Sequence, residues 1–195
     1  MQNMDVHQDL RVVRTRKLLR AALFELTVEK GFSNVTVRDV CERAMVNRST
    51  FYRHYLDKHD LLIQYLDELQ AEIAAAAAAQ MDAGTSNADD PVPAGLLMLL
   101  KRVQEQGRFF RVMLGRDGDA RFTDRFRQLS RDRYRLMLSR NRGVSVNSPP
   151  DALKLEYISS ASLGAILWWL ENDQRITAEQ LAMWLGRLNM TSASV

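Results

Sequence analysis

From Thr36 to Tyr55 the chain reads TVRDVCERAMVNRSTFYRHY. A threonine followed three residues later by Asp39 is a capping-box pattern, which starts a helix. Val37, Val40 and Cys41 then fall on one face, and Ala44 is small enough to admit another helix. The helix has room for about two turns before Met45-Val46-Asn47. Asn47 is a good N-cap for a second short helix, running from Arg48 to about Tyr55. Phe51 and Tyr55, four residues apart, are expected in the core. Arg48, Ser49, Thr50, Tyr52, Arg53 and His54 are left for solvent. Two short helices joined by a turn, the second loaded with basic, hydroxyl and aromatic side chains, can present hydrogen-bonding groups to base edges in a DNA major groove.

Upstream, residues 1–9 lack periodicity and predict a mobile tail. Leu18, Leu19, Ala22, Leu23 and Leu26 repeat with helical spacing over residues 10–30. Gly31 then ends that helix, since glycine accepts positive φ at little cost, and Phe32 is expected as a core plug. Downstream, Asp57 caps a long helix with Leu61, Leu62, Tyr65, Leu66, Leu69 and Ile73 on its apolar face. That helix continues through six alanines, Ala74 to Ala79. About 24 residues at about 1.5 Å each would span roughly 36 Å. Residues 82–93 read as a loop, and a helix follows from Ala94 to about Gln106. Gly107 interrupts before RFFRVML, residues 115–119 turn, and an arginine-rich helix ends near Arg140. Residues 141–150 form a second loop. Two apolar helices close the chain, one from about Pro150 to Glu171, the other capped by Thr177 and Gln180. The pattern is all-α, with no strand candidate.

The composition, 46% hydrophobic and 26% charged over 195 residues, is that of a globular chain able to bury a sizeable core. A single cysteine, Cys41, excludes an intramolecular disulfide. The chain opens without an apolar signal segment, and its longest apolar run is shorter than the roughly 20 residues a membrane helix needs. These features predict a cytoplasmic protein with no membrane contact. Residues 10–58 carry 11 Lys/Arg against 5 Asp/Glu, a balance that suits phosphate. Residues 101–142 carry 13 basic against 5 acidic side chains. This second block reads first as the solvated face of surface helices.

The first 60 residues resemble the TetR family of bacterial transcriptional regulators. The resemblance rests on LLxAAL, EKGF, TVRDV, AMVN and FYRHYxDKxxL, and is closest to a subgroup carrying NRSTFYRHYxDK, Asn47 to Lys58. FFRVMLGRDGDARF and LGAILWWLE are similar, more weakly, to the C-terminal half of that subgroup. The resemblance implies an all-α homodimer of about nine helices. An N-terminal three-helix helix-turn-helix domain (10–57, motif about 36–55) would precede a C-terminal helical ligand-binding and dimerisation bundle (58–195). Met45 stands where the family usually has glycine.

On chemistry, Arg48 can make a bidentate contact to guanine, and Ser49 and Thr50 can reach bases or a thymine methyl. The resemblance makes Thr36, Tyr52, His54 and Lys58 phosphate contacts, and Arg38 and Arg53 add to these. The family also implies a small-molecule effector, with Phe109, Phe110, Met113, Tyr134, Met137, Tyr157 and Trp168 as candidates to line its pocket. Adjacent tryptophans on a helix sit about 100° apart, so one of Trp168 and Trp169 is expected against a partner. The predicted dimer face, on the last two helices, is Ser162, Leu163, Ile166, Trp169, Leu181, Trp184, Leu185 and Leu188. Function therefore reads as a repressor released from a palindromic double-stranded DNA operator by an effector. The competing reading is a co-regulator acting mainly through a protein partner. His7, His54, His59 and Cys41 show no metal-ligand spacing, and no nucleophile–base arrangement or phosphate loop appears. The expectation is thus no enzyme, no metal and no cofactor.

Overall fold

The computed structural model describes residues 2–82, 92–116, 118–138 and 149–193, with the backbone alone at 2–9, 136–138 and 190–193. Most of the two expected loops and the side chain of Met137 lie outside the described residues. Among the described residues there are nine α-helices and no strand. In chain order they are α1 (Gln2–Lys30), α2 (Val37–Ala44), α3 (Arg48–Tyr52), α4 (Lys58–Asp82), α5 (Ala94–Glu105), α6 (Gly107–Leu114), α7 (Ala120–Leu138), α8 (Asp151–Glu171) and α9 (Ala178–Ala193). A single turn of 3-10 helix, Phe32–Asn34, links α1 to α2.

Local chemistry places most of these boundaries. Gly31 stops α1 at φ 78 and ψ 144, positive in φ but extended in ψ. Asp57 Oδ1 accepts from the Asp60 N–H at 2.8 Å and caps α4. Thr177 Oγ1 accepts from the Gln180 N–H while Gln180 Oε1 accepts from the Thr177 N–H, a reciprocal box at the start of α9.

Helices α1, α2 and α3 pack around Leu19, Leu23, Val40 and Phe51, all buried. Burying each such side chain contributes about 1.5–3 kcal/mol. Helix α4 then packs on α5 and α7, α7 on α8, and α5 on α9. A run of rings links the two parts. Phe24 of α1 stacks on Phe109 of α6 with centroids 3.8 Å apart, and meets Tyr65 of α4 edge-on at 5.0 Å. Phe110, Phe122 and Phe126 extend this cluster into the C-terminal helices.

Several expectations are corrected. The backbone at residues 2–9 is helical, an extension of α1 rather than a tail. Leu18 sits at the edge of the apolar stripe and is 43% exposed. Helix α3 ends at Tyr52, three residues short of the expectation.

The proposed dimer face is also redrawn. Ser162, Leu163, Ile166, Trp169, Leu181 and Leu185 are buried within the chain's own core, because α8 turns that side towards α7 and α9. Trp169 is fully buried and its indole N–H donates to the Ile176 carbonyl at 2.8 Å. Trp168, assigned to the pocket, is instead 51% exposed, on one stripe with Leu153, Tyr157, Ala161 and Gly164. Trp184 and Leu188 are exposed on α9.

The pocket residues do not converge. Phe109, Phe110 and Met113 are packed solidly into the aromatic core. Tyr134 belongs to a separate cluster with Ile158, its hydroxyl bonded to Ser162 and Asn189. Tyr157 lies on the outer stripe of α8.

Candidate nucleic-acid interface

Helix α2 begins with a closed ring of bonds. Asp39 Oδ2 accepts from the Thr36 N–H and from the Thr36 hydroxyl, each at 2.8 Å, and from Lys30 Nζ at 2.7 Å. Thr36 Oγ1 accepts in turn from the Asp39 N–H at 3.2 Å. The Lys30 ammonium, then the Thr36 N–H and hydroxyl, hold the Asp39 carboxyl well below its ordinary range. The Thr36 hydroxyl is therefore engaged in the cap, which corrects its assignment as a phosphate contact.

Arg43 ties the far end of α2 to α1. It forms a two-pronged pair with Glu29, both bonds 2.7 Å, and a third contact with Glu25 at 3.2 Å. Helix α2 ends on Met45, in the left-handed region at φ 52 and ψ 41. The Val46 N–H donates to the Cys41 carbonyl at 2.9 Å and closes the turn. The Met45 side chain is 93% exposed, so packing does not offset the backbone strain. Cys41 is buried beneath the turn, and burial pushes its thiol up, keeping it protonated.

Asn47 Oδ1 caps α3, accepting from the Ser49 N–H at 3.0 Å and the Ser49 hydroxyl at 3.1 Å. Phe51 and Tyr55 are buried, as expected, and anchor α3 within the head formed by α1, α2 and α3. That leaves Arg48, Ser49, Tyr52 and Arg53 exposed along α3, with Thr50 half-buried. Arg48 makes no ion pair among the described residues. Arg53 Nη2 donates to Thr50 Oγ1 at 3.1 Å, aligning those two side chains. Arg38 Nε is held by Glu42 at 2.7 Å on an exposed face. Burial, then the charges of Arg16 and Arg53, lower the His54 pKa and favour its neutral form.

Lys58 is the main departure. Its Nζ donates to the carbonyls of Phe32 at 2.7 Å, Val35 at 2.7 Å and Ser33 at 3.2 Å. It also lies 4.5 Å from the Phe32 ring centroid. An ammonium has three protons, and all three are taken. Lys58 is thus a clamp between α4 and the 3-10 turn, not a phosphate anchor. Only the reach of its stem, seen in three dimensions, reveals this; the charge alone reads as a surface contact. Part of the second basic block is similarly absorbed. Arg125 pairs with Asp67, Arg131 with Glu156, Arg127 with Asp124 and Arg135 with Asp132.

Comparison with known proteins agrees with this layout. The family model described as "Bacterial regulatory proteins, tetR family" matches residues 18–65. A second, "Transcriptional regulator C-terminal region", matches residues 90–190. An uncharacterized HTH-type transcriptional regulator, YxbF of Bacillus subtilis (strain 168), is 38% identical over 66 residues, 33% of this chain and 17% of that protein's length. This chain thus aligns with well under two thirds of that relative. Among solved structures, the TetR transcriptional regulator from Streptococcus agalactiae 2603V superposes with a TM-score of 0.64 at 25% identity, covering 95% of this chain and 98% of that one. FadR of Thermus thermophilus, a TetR family repressor solved with lauroyl-CoA, has a TM-score of 0.57 at 17% identity, covering 90% and 93%. The last likeness is one of fold alone.

Proposed function

The chain belongs to the TetR family of bacterial transcriptional regulators, not to an enzyme family, and from that premise we propose that it acts in the cytoplasm as a homodimeric repressor. Its target is a palindromic operator, released when a small molecule binds. Arg48, Ser49 and Thr50 read bases; Arg38, Tyr52, Arg53 and His54 hold phosphates. The observation that carries the reading is α3 itself, anchored from below by Phe51 and capped by Asn47, with Arg48 unpaired at its first turn. Specific readout requires such a short, rigid and outward-facing set near a helix N-terminus.

Two such helices must stand about 34 Å apart to enter successive major grooves. The outer stripe of α8, with Trp168 at one end, together with Trp184 and Leu188 of α9, is the apolar surface that would pair two copies. An exposed tryptophan is the kind of anchor on which interface energy concentrates. Among the described residues no helix is long and apolar enough to cross a membrane.

The test is selection of bound sequences from random DNA by the purified protein. The expected product is an inverted repeat bound by two chains, with affinity that falls as salt rises. Trp168→Glu should give monomers and lose operator binding. If the purified protein enriches no sequence, the reading fails.

A further inference from the structure

A cleft of about 1000 Å3 lies between α1 and the joint of α5 and α6, with Asp173 and Gln174 contributed by the turn from α8 to α9. That turn is strained. Asp173 and Gln174 stand consecutively at φ 54 and φ 51, a region that side-chain-bearing residues seldom occupy. Buried Trp169 holds it there, accepting from the Gln174 N–H at 3.0 Å and donating to the Ile176 carbonyl. The strained backbone aims the Gln174 amide at Gly107, where a Cβ would come within 2.9 Å of Nε2. Gln174 Nε2 is buried yet has no hydrogen-bond partner. A strained turn that brings an unsatisfied donor to the edge of a cleft is a reason to look for an occupant there.

The charges specify the occupant. Every carboxylate lining the cleft is paired: Glu25 and Glu29 with Arg43, Glu105 with Arg102, Asp173 with Arg111. Among the cations, Arg20 is paired with Glu68. Lys17 and Arg108 line the same cleft and have no ion pair among the described residues. Two unpaired positive charges therefore line one cleft with Gln174, whose amide Nε2 is packed beside Gly107 without a partner.

We propose that this cleft binds a small anion bearing carboxylate or phosphate groups, held by Lys17, Arg108 and the Gln174 amide. One wall belongs to α1, which carries the helix-turn-helix through Arg43; the other belongs to α6 and the α8–α9 turn. An occupant bridges them and fixes the head relative to the body. Its effect on operator affinity rests on the repressor reading above; its binding does not.

The experiment is calorimetry on the full chain without DNA. Citrate serves as the carboxylate probe and pyrophosphate as the phosphate probe, with chloride at matched ionic strength as reference. Saturable binding of either probe is expected, and which one binds names the class. Arg108→Ala and Gln174→Asn should each weaken binding at least about fivefold, since each removes a bond to a charged group. Gln174→Asn keeps a residue that tolerates positive φ, so the turn survives. Arg116→Ala, at an exposed arginine outside the cleft, should leave binding unchanged. Absence of saturable binding by both probes, or equal binding in Arg108→Ala and the wild type, overturns the proposal.

Discussion

Lys58 Nζ lies 2.7 Å from the carbonyl oxygen of Val35. This bond, with those to Phe32 and Ser33, ties the start of α4 to the segment that leads into α2. Lys58→Met keeps the stem and removes the donors, leaving the part-buried Val35 carbonyl without this donor. A loss of about 1–3 kcal/mol in urea unfolding is expected. The slope of log affinity against log salt on DNA should stay as in the wild type, because no phosphate contact is lost. A reduction of that slope by about one would restore Lys58 as a phosphate anchor.

Arg48 differs in kind. It is exposed, unpaired and at the first turn of α3. Arg48→Ala should cost about 1–3 kcal/mol on the selected operator and relax discrimination at one base pair. Fluorescence anisotropy on operator and scrambled duplexes measures both. Equal losses on the two duplexes would remove Arg48 from the base-reading set.

Met45 is the strained corner of the motif. A left-handed residue with a side chain costs about 1–2 kcal/mol, and the added chain entropy of glycine takes back part of this. Met45→Gly should therefore stabilise the fold by up to about 1 kcal/mol, since a 93% exposed side chain gives up little packing. Met45→Val should destabilise it, a β-branched residue being least tolerant of positive φ. Thermal unfolding of the three proteins orders them.

Asp39 sets an acid limit. Its carboxyl is depressed in the folded chain by Lys30 and Thr36. The unfolded chain therefore takes up the proton first, and stability that is fully present above about pH 4 declines as pH falls below that value. Asp39→Asn should be less stable at neutral pH and show a flatter acid limb. Unfolding free energies followed from pH 7 to pH 3 test this; parallel curves would discard the carboxylate as the cause.

Much of the motif was legible because its determinants are local. Thr36 with Asp39, Asn47, Asp57 with Asp60, and Thr177 with Gln180 each act within four residues, so sequence spacing alone exposes them. Phe51 and Tyr55 follow from helical periodicity. What escaped depends on distance in space. Trp168 and Trp169 are chemically identical neighbours, and only the packing of α7 and α9 decides which is covered. Lys58 carries the charge of a phosphate ligand, but its stem reaches three carbonyls more than 20 residues upstream. The unpaired state of Lys17 and Arg108 is a statement about the neighbours they lack, which no local pattern encodes.

The flat contact between Phe24 and Phe109 has a mechanical consequence. Their ring planes are 18° apart and the centroids 3.8 Å, so the contact is a plane rather than a peg. Sliding one ring across the other keeps most of the dispersion contact, whereas prising them apart opens a void beside Tyr65. At this pair, displacement along the ring planes therefore costs less than separation across them. Lateral displacement of α1 over α6 is therefore the movement that this ring contact alone would oppose least.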